Sequence, residues 1–401
     1  MAFLLDRFPV LSETFVVHQV AGLVRLGHEV TVLSLHAEDT GIRHHLCEKY
    51  RLEERVRKAV RASAARDVLI QLLRIATQSL WSSAARRRCA AAIRATLSRN
   101  WSAVPDLLAY RPVSGDYDVV IAHFGTLGVR AMALREAGLV SGRLITVFHG
   151  FDMSVHRLLR RHIPLYKRLL RTTEQQLPIS KLWAERLLSW GGDPEKIRVL
   201  HMGVDVESLP ALPDRPLGSP LQVLCVGRFT QKKAQADVIR AVLACRCDLR
   251  LDLIGGGEME SQLRALAGDD ARIRFLGKRT QQEVFAALAA ADVFMLPSVT
   301  AANGDMEGIP VALMEAMAMG VLVLSTRHSG IPELIEHERS GFLVAEHDVA
   351  GMAAILESLA AGLHDVSALR RAARARVLAE FDNGKLDLEL ERICARLCAQ
   401  R

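Results

Sequence analysis

In DVFMLPSVTAANGDMEGIPVALMEAMAMG, residues 292–320, an apolar run stops at Pro297, a polar loop follows, and a second apolar run starts near Pro310. The first run, 292–296, has the length of a buried strand. The second, 310–319, has helical periodicity, and proline suits a first helical turn. Strand, loop and helix in that order build a parallel βαβ sheet, and the loop falls at the carboxyl edge, where open α/β sheets bind ligands. The amides of the first helical turn point outward, and the helix dipole favours an anion there. Two carboxylates mark the stretch, Glu307 just before the helix and Glu315 inside it. Glu315 stands in an otherwise apolar VALMEAMAM. A carboxylate accepting from two vicinal hydroxyls suits a ribose, which would place Glu307 beside a sugar. The bland alternative is an acid that favours the dipole, followed by a solvated helical glutamate.

The same alternation extends both ways. Candidate strands are 1–5, 29–35, 117–122 and 144–148 in the first half, and 222–226, 249–254, 272–275, 292–296 and 321–325 in the second. Helical periodicity fills 15–26, 127–137, 180–190, 233–244, 258–267 and 280–290. A chain of 401 residues is too long for one core. The pattern restarts near 221, after a stretch with four prolines (Pro210, Pro213, Pro216, Pro220). The expected organisation is an α/β domain at 1–207, a linker at 208–220, a second α/β domain at 221–380, and a C-terminal helix at 381–401 that packs back on the first domain.

VGRFTQKKA, residues 226–234, is a second strand-to-helix turn. Gly227 permits a tight turn, and Arg228 with a lysine at 232–233 can face the carboxyl edge. Two cations there would stabilise a departing diphosphate without a metal. In the first half, FHGFD (148–152) follows a strand, so His149 is expected at the sheet edge.

The formal charge of +7 is uneven, for residues 40–100 hold 14 Lys/Arg against four acids. This segment has no good strand and reads as two or three basic helices. In 66–81 an apolar face (Val68, Leu69, Leu72, Leu73, Ile75, Ala76, Leu80) leaves Arg66 and Arg74 elsewhere. It is either a helical insertion packed on its own domain or an interfacial helix resting on an anionic membrane. Nucleic acid is the poorer partner, because no recognised motif is present and only 5% of residues are aromatic. No apolar run reaches the roughly 20 residues of a membrane span, and MAFLLDRFPV lacks the features of a signal peptide. An intracellular, cytoplasmic location without disulfides is expected for the seven scattered cysteines.

Together these motifs resemble the retaining glycosyltransferases of family 4, and the resemblance covers nearly the whole chain. It implies the GT-B fold, two facing Rossmann-like domains with a cleft between them. It implies that Gly227, Arg228 and Lys233 hold the diphosphate of a UDP- or GDP-linked sugar. Glu307 approaches the sugar and Glu315 the ribose, with Gly308, Ile309 and the amides of Val311 and Ala312 beside them. A family histidine that touches the donor sugar maps to His149. Ala234 stands where the family usually has glycine, implying slightly tighter packing, and His201 replaces a common asparagine in a turn read as structural. Gly330, in STRHSGIPELI, matches a common family segment. DRFPVLSETF (6–15) is similar to the exopolysaccharide, colanic-acid-type subgroup, with Ser12, Glu13 and Thr14 at a helix start near the donor phosphate or the acceptor. The implied activity is transfer with retention, without a cofactor or metal, onto a polyprenyl-diphosphate-linked saccharide at the cytoplasmic face of the inner membrane. The alternatives are a nucleotide-sugar epimerase of the same fold and a transferase with a soluble small-molecule acceptor.

Overall fold

The computed structural model describes residues 1–10, 13–36, 44–60, 65–109 and 112–400. They form two compact units, Met1–Leu200 with Asp387–Arg401, and His201–Leu386.

The first unit holds β1 (Ala2–Leu5), β2 (Thr31–Ser34), β3 (Val56–Lys58), β4 (Gly115–His123), β5 (Val140–Phe148) and β6 (Gln175–Pro178). The second holds β7 (Leu221–Val226), β8 (Leu249–Ile254), β9 (Ile273–Gly277), β10 (Val293–Leu296), β11 (Leu322–Thr326) and β12 (Phe342–Val344). The sheet orders are β3-β2-β1-β4-β5-β6 and β12-β11-β10-β7-β8-β9, parallel throughout. Each is the doubly wound order, in which the chain leaves the first-formed strand in opposite directions. That reversal opens a crevice at the carboxyl ends, between β1 and β4 and between β7 and β10. The central strands are buried on both faces, as Phe3, Leu4, Ile121, Ile145, Leu224, Leu253 and Phe294 show, so they read as unbroken apolar runs.

Two expectations about organisation are corrected here. The basic segment 40–100 does contain a strand. β3 pairs with β2 through Val56, Arg57 and Lys58, and its charged, outward residues hid it. The proline-rich stretch 208–220 packs on the second unit. Arg215 binds the buried Asp292 carboxylate at 2.7 Å, the Gly218 and Gln222 amides donate to the same carboxylate, and the Leu212 amide donates to the Met319 carbonyl at 3.0 Å. His201 also lies in the second unit, pairing with Glu333 at 3.0 Å. The helix Asn383–Ala399 supplies Asp387, Glu389 and Glu391, which pair in the first unit with Arg25, Arg198 and His28.

Within 40–100 lie the helices Ala65–Gln78 and Ser83–Leu97, and the first of them is held to the first unit by one residue of its apolar face, Ile75, and one outside it, Gln71. Gln71 and Ile75 are buried, and the Gln71 amide donates to the Ala109 carbonyl at 3.2 Å. Leu69, Leu72, Leu73 and Leu80, on the face expected either to pack on the domain or to rest on a membrane, are exposed. Among the described residues, no helix is long and apolar enough to cross a membrane.

Candidate active site

In the second unit the expected residues converge where β7 and β10 part. β7 delivers Gly227 and the exposed Arg228. A tight turn, Gln231–Lys233, then carries two lysines into the helix Gln235–Ala244. Two of the three glycines after β8, Gly255 and Gly257, press on this loop. A Cβ on Gly255 would lie 2.0 Å from the Gly227 carbonyl oxygen, and one on Gly257 2.4 Å from that of Phe229. Only glycine allows that approach.

The loop after β10 closes over the lysines. The Val299 amide donates to the Lys232 carbonyl at 2.9 Å, and the Ala302 amide to Gln231 Oε1 at 3.0 Å. Glu307 Oε2 lies 3.1 Å from Lys233 Nζ, and its Oε1 3.4 Å from Lys232 Nζ without hydrogen-bond geometry. Lys232 also binds Asp305, at 3.1 Å. Burial by itself would raise the Glu307 carboxyl pKa, but the charges of Lys233 and Lys232 outweigh it and hold the group below the usual range. Glu307 is therefore a buried carboxylate, kept ionised by the cations expected to meet a diphosphate.

Gly308 and Ile309 lead into the helix Val311–Met319, with Pro310 at its N-cap and no side-chain cap. The Leu313 amide turns back to the Pro310 carbonyl. The amides of Val311 and Ala312 remain as the positive end of the helix. One turn on, Glu315 is half-buried beside them with no compensating charge, and the partial loss of water pushes its carboxyl pKa up to about 7.

The first unit carries a second constellation at its own carboxyl edge. β5 ends at Phe148, and His149 follows, only 6% exposed. Its ring lies against Phe15 and Phe124, and its Nε2 is 3.1 Å from His123 Nδ1. Burial, reinforced by His123, pushes the His149 pKa well below the usual range, so the imidazole is neutral at pH 7. Asp152 ties the two strand ends, accepting from the His149 amide at 3.0 Å and the Gly125 amide at 2.6 Å. Phe124, beside that amide, is left-handed with φ +71, strain of the kind that clusters at functional sites. Glu13 occupies the N-cap position of the helix Thr14–Arg25, which has no side-chain cap. Burial, then the neighbouring Asp6, pushes the Glu13 carboxyl pKa up to about 7. The expected cap from Ser12 lies outside the described residues.

The description "Glycosyltransferase Family 4" matches residues 12–208, and "Glycosyl transferases group 1" matches residues 220–362. The amylovoran biosynthesis glycosyltransferase AmsK of Erwinia amylovora is 37% identical, the match covering 99% of both chains. A Salmonella typhimurium protein named as a colanic acid biosynthesis glycosyltransferase, WcaL, is 39% identical over 97% of this chain and 98% of its own. The chain belongs to glycosyltransferase family 4. The fold of this glycosyltransferase is GT-B. Anabaena Alr3699/HepE in complex with UDP superposes with a TM-score of 0.71 at 18% identity, over 98% of this chain and 99% of that one.

Sequence reasoning missed several residues of this glycosyltransferase. Gly255 and Gly257 had a signal, three glycines directly after an apolar strand. Asp152 closes the quoted FHGFD, and His123 closes β4 as His149 follows β5. Lys232, grouped with Lys233, proves to be a partner of both Asp305 and Glu307. His328 and Glu346, which hold the Glu307 loop, gave no signal because their partners are backbone amides far away in sequence. Among the described residues, no group of three or more His, Cys, Asp or Glu is placed to hold a metal ion.

Proposed function

We propose that this glycosyltransferase moves a sugar, with retention, from a nucleoside diphosphate onto a polyprenyl-diphosphate-linked saccharide during exopolysaccharide assembly, docked peripherally at the cytoplasmic face of the inner membrane. The observation that carries the donor half is the Lys232–Lys233–Glu307 cluster, set between Arg228 and the uncapped end of the helix Val311–Met319. In the reaction the bond from C1 to the diphosphate breaks and the bond from C1 to the acceptor oxygen forms on the same face. The acceptor proton passes to the departing phosphate oxygen. Arg228, Lys233 and the Val311 and Ala312 amides would meet the charge that develops on the diphosphate, without a metal or cofactor. Glu307, already ion-paired, is poorly placed as a covalent nucleophile and suits contact with the sugar. His149 would offer a neutral ring to the sugar, and Glu315 would accept from the ribose hydroxyls.

The relatives' names support the class of product, since WcaL and AmsK are named for colanic acid and amylovoran. Support for the donor comes from HepE, solved with UDP-glucose. A GDP-mannose-dependent phosphatidylinositol mannoside mannosyltransferase of Corynebacterium glutamicum, 31% identical over 64% of this chain and 70% of its own, keeps GDP open as the base. Thermal-shift titration with UDP, GDP and ADP and their sugars tests the reading, followed by the anomeric configuration of the product. One uridine or guanosine diphosphate should raise the melting temperature by several degrees. No shift with any of them, or an inverted anomer, would overturn it. Incubation of the donor without acceptor separates the epimerase, which would return an epimerised nucleotide sugar.

A further inference from the structure

The loop that presents Glu307 is held from behind by the end of β11 and the residues that follow it. Ser325 Oγ donates to the Leu296 carbonyl at 2.6 Å, and Thr326 Oγ1 to that of Ser298. His328 follows, fully buried. Its Nε2 is 3.1 Å from the Glu307 backbone nitrogen, and its Nδ1 is 2.6 Å from Glu346 Oε1. The other Glu346 oxygen accepts from the Thr300 amide at 2.9 Å. One imidazole and one carboxylate therefore grip the same loop at both ends.

The partners decide the tautomer. A backbone N–H can only donate, so His328 Nε2 must carry a lone pair, and the ring proton sits on Nδ1, facing Glu346. The reversed tautomer would oppose two donors at Glu307 and two acceptors at Glu346. Ser329, the next residue, is left-handed at φ +48, a conformation that costs a non-glycine residue energy. We infer that His328, fixed as its Nδ1–H tautomer by Glu346, is a positioning residue that sets the height of Glu307 against the donor sugar. The inference rests on the donor-site reading above.

Two substitutions separate the ring's two bonds. In His328→Gln the side-chain oxygen reaches the Nε2 position and still accepts from Glu307. In His328→Asn the side-chain nitrogen reaches the Nδ1 position, keeps Glu346, and leaves the Glu307 amide without its acceptor. With UDP-glucose or GDP-mannose, whichever the protein consumes, His328→Asn should lower kcat about 10–100-fold, with KM and the affinity for UDP or GDP within about 2-fold. His328→Gln should stay within about 3-fold of the parent. Nitrogen-edited NMR of the ring should show a pyrrole-type Nδ1 and a pyridine-type Nε2. The Glu307 amide should be protected from hydrogen exchange in the parent and in His328→Gln, and lose protection in His328→Asn. Equal kinetics for the two variants, a fall in nucleotide affinity that matches the fall in kcat, or a ring protonated on Nε2 would overturn the proposal. If Glu307→Gln itself keeps normal turnover, the donor-site reading fails, while exchange and tautomer still test the strap on their own.

Discussion

Lys233 and Arg228 are both cations at one sheet edge, yet their surroundings make them behave differently. Arg228 is exposed, whereas Lys233 is ion-paired to the buried Glu307 carboxylate. Arg228→Ala and Lys233→Ala should each lower turnover about 10²-fold, as the leaving diphosphate loses a charge-assisted contact worth about 1.5–3 kcal/mol. Only Lys233→Ala should also lower the melting temperature, because it leaves a buried carboxylate with one cation fewer. Parallel melting curves and initial rates check both, and near-normal rates in the two variants would move the diphosphate elsewhere. Glu307→Ala should chiefly lower kcat and Glu315→Ala chiefly weaken nucleotide binding, and equal binding losses would erase the distinction. Glu315 adds a pH signature. Its pKa is raised from 4.5 to about 7 by burial, so between those values the folded chain holds a proton that the unfolded chain has released. Its contribution to stability therefore falls as pH rises from 4.5 to about 7 and is level beyond. Ribose hydroxyls would favour the carboxylate, so nucleoside diphosphate affinity should tighten more steeply as pH rises through about 7 in the parent than in Glu315→Gln, where only the ionisation of the diphosphate itself remains. Calorimetry across pH 5.5–8.5 reads this directly, and equal profiles would remove Glu315 from the ribose.

At the scale of elements, the turn Gln231–Lys233 illustrates what sequence pattern reveals and what it hides. Spacing alone put a strand end, a cation pair and a helix start there. Ala234 was expected to tighten packing in place of glycine, and the structure gives another reason. Ala234 closes the turn at φ +49, in the left-handed region where a Cβ costs energy. Ala234→Gly should therefore stabilise the second unit by about 0.5–1 kcal/mol, the relief exceeding glycine's extra entropy when unfolded. The melting temperature should rise by about 1–3 °C with turnover unchanged, and a fall would mean that the strain is relieved elsewhere. The same division holds for strands. The nine anticipated strands each fall on a strand of the two sheets, and the central ones are buried apolar runs. β3, β6 and β12 escaped because each is a three- or four-residue edge strand whose pairing is decided by its neighbour. Of the site, residues beside strand ends were legible. Of those that act through backbone contacts, Gly257 left only the glycine run after β8 and His328 left nothing, since no local pattern records a partner some 20–30 residues away.

At the scale of the whole molecule, the proposed membrane docking falls to one layer of the first unit. Leu73, Leu80, Trp81, Leu97 and Trp101 are each at least 60% exposed, a costly arrangement for a face that only water meets. Arg74, Arg86, Arg87, Arg94 and Arg99 are exposed among them. The layer extends beyond residues 40–100. Glu136 binds Arg94 at 3.3 Å and Arg168 at 2.6 Å, joining the helix Ser83–Leu97 to the helix His156–Thr172, which carries six Lys/Arg and no acid. Apolar side chains set among cations match an anionic bilayer, where each basic residue contributes about 1 kcal/mol, weakened by salt. A lipid-linked acceptor keeps its tail in that bilayer, so an enzyme acting on it has reason to rest there. Arg88 is not part of the surface, for its guanidinium donates to the Leu107 and Ala109 carbonyls and pins the insertion. A charge reversal at Arg88 would disturb the fold. The informative variants are Arg86→Glu with Arg87→Glu, and separately Trp81→Ser with Leu97→Ser. The parent should co-sediment with phosphatidylglycerol-containing vesicles at low salt and be released at high salt. The charge pair should abolish docking, and the apolar pair should weaken it at every salt concentration, with UDP or GDP binding unchanged in both. Equal sedimentation on neutral and anionic vesicles, none on either, or a concentration-dependent dimer that buries Trp81 would give this face to another partner and favour a soluble acceptor.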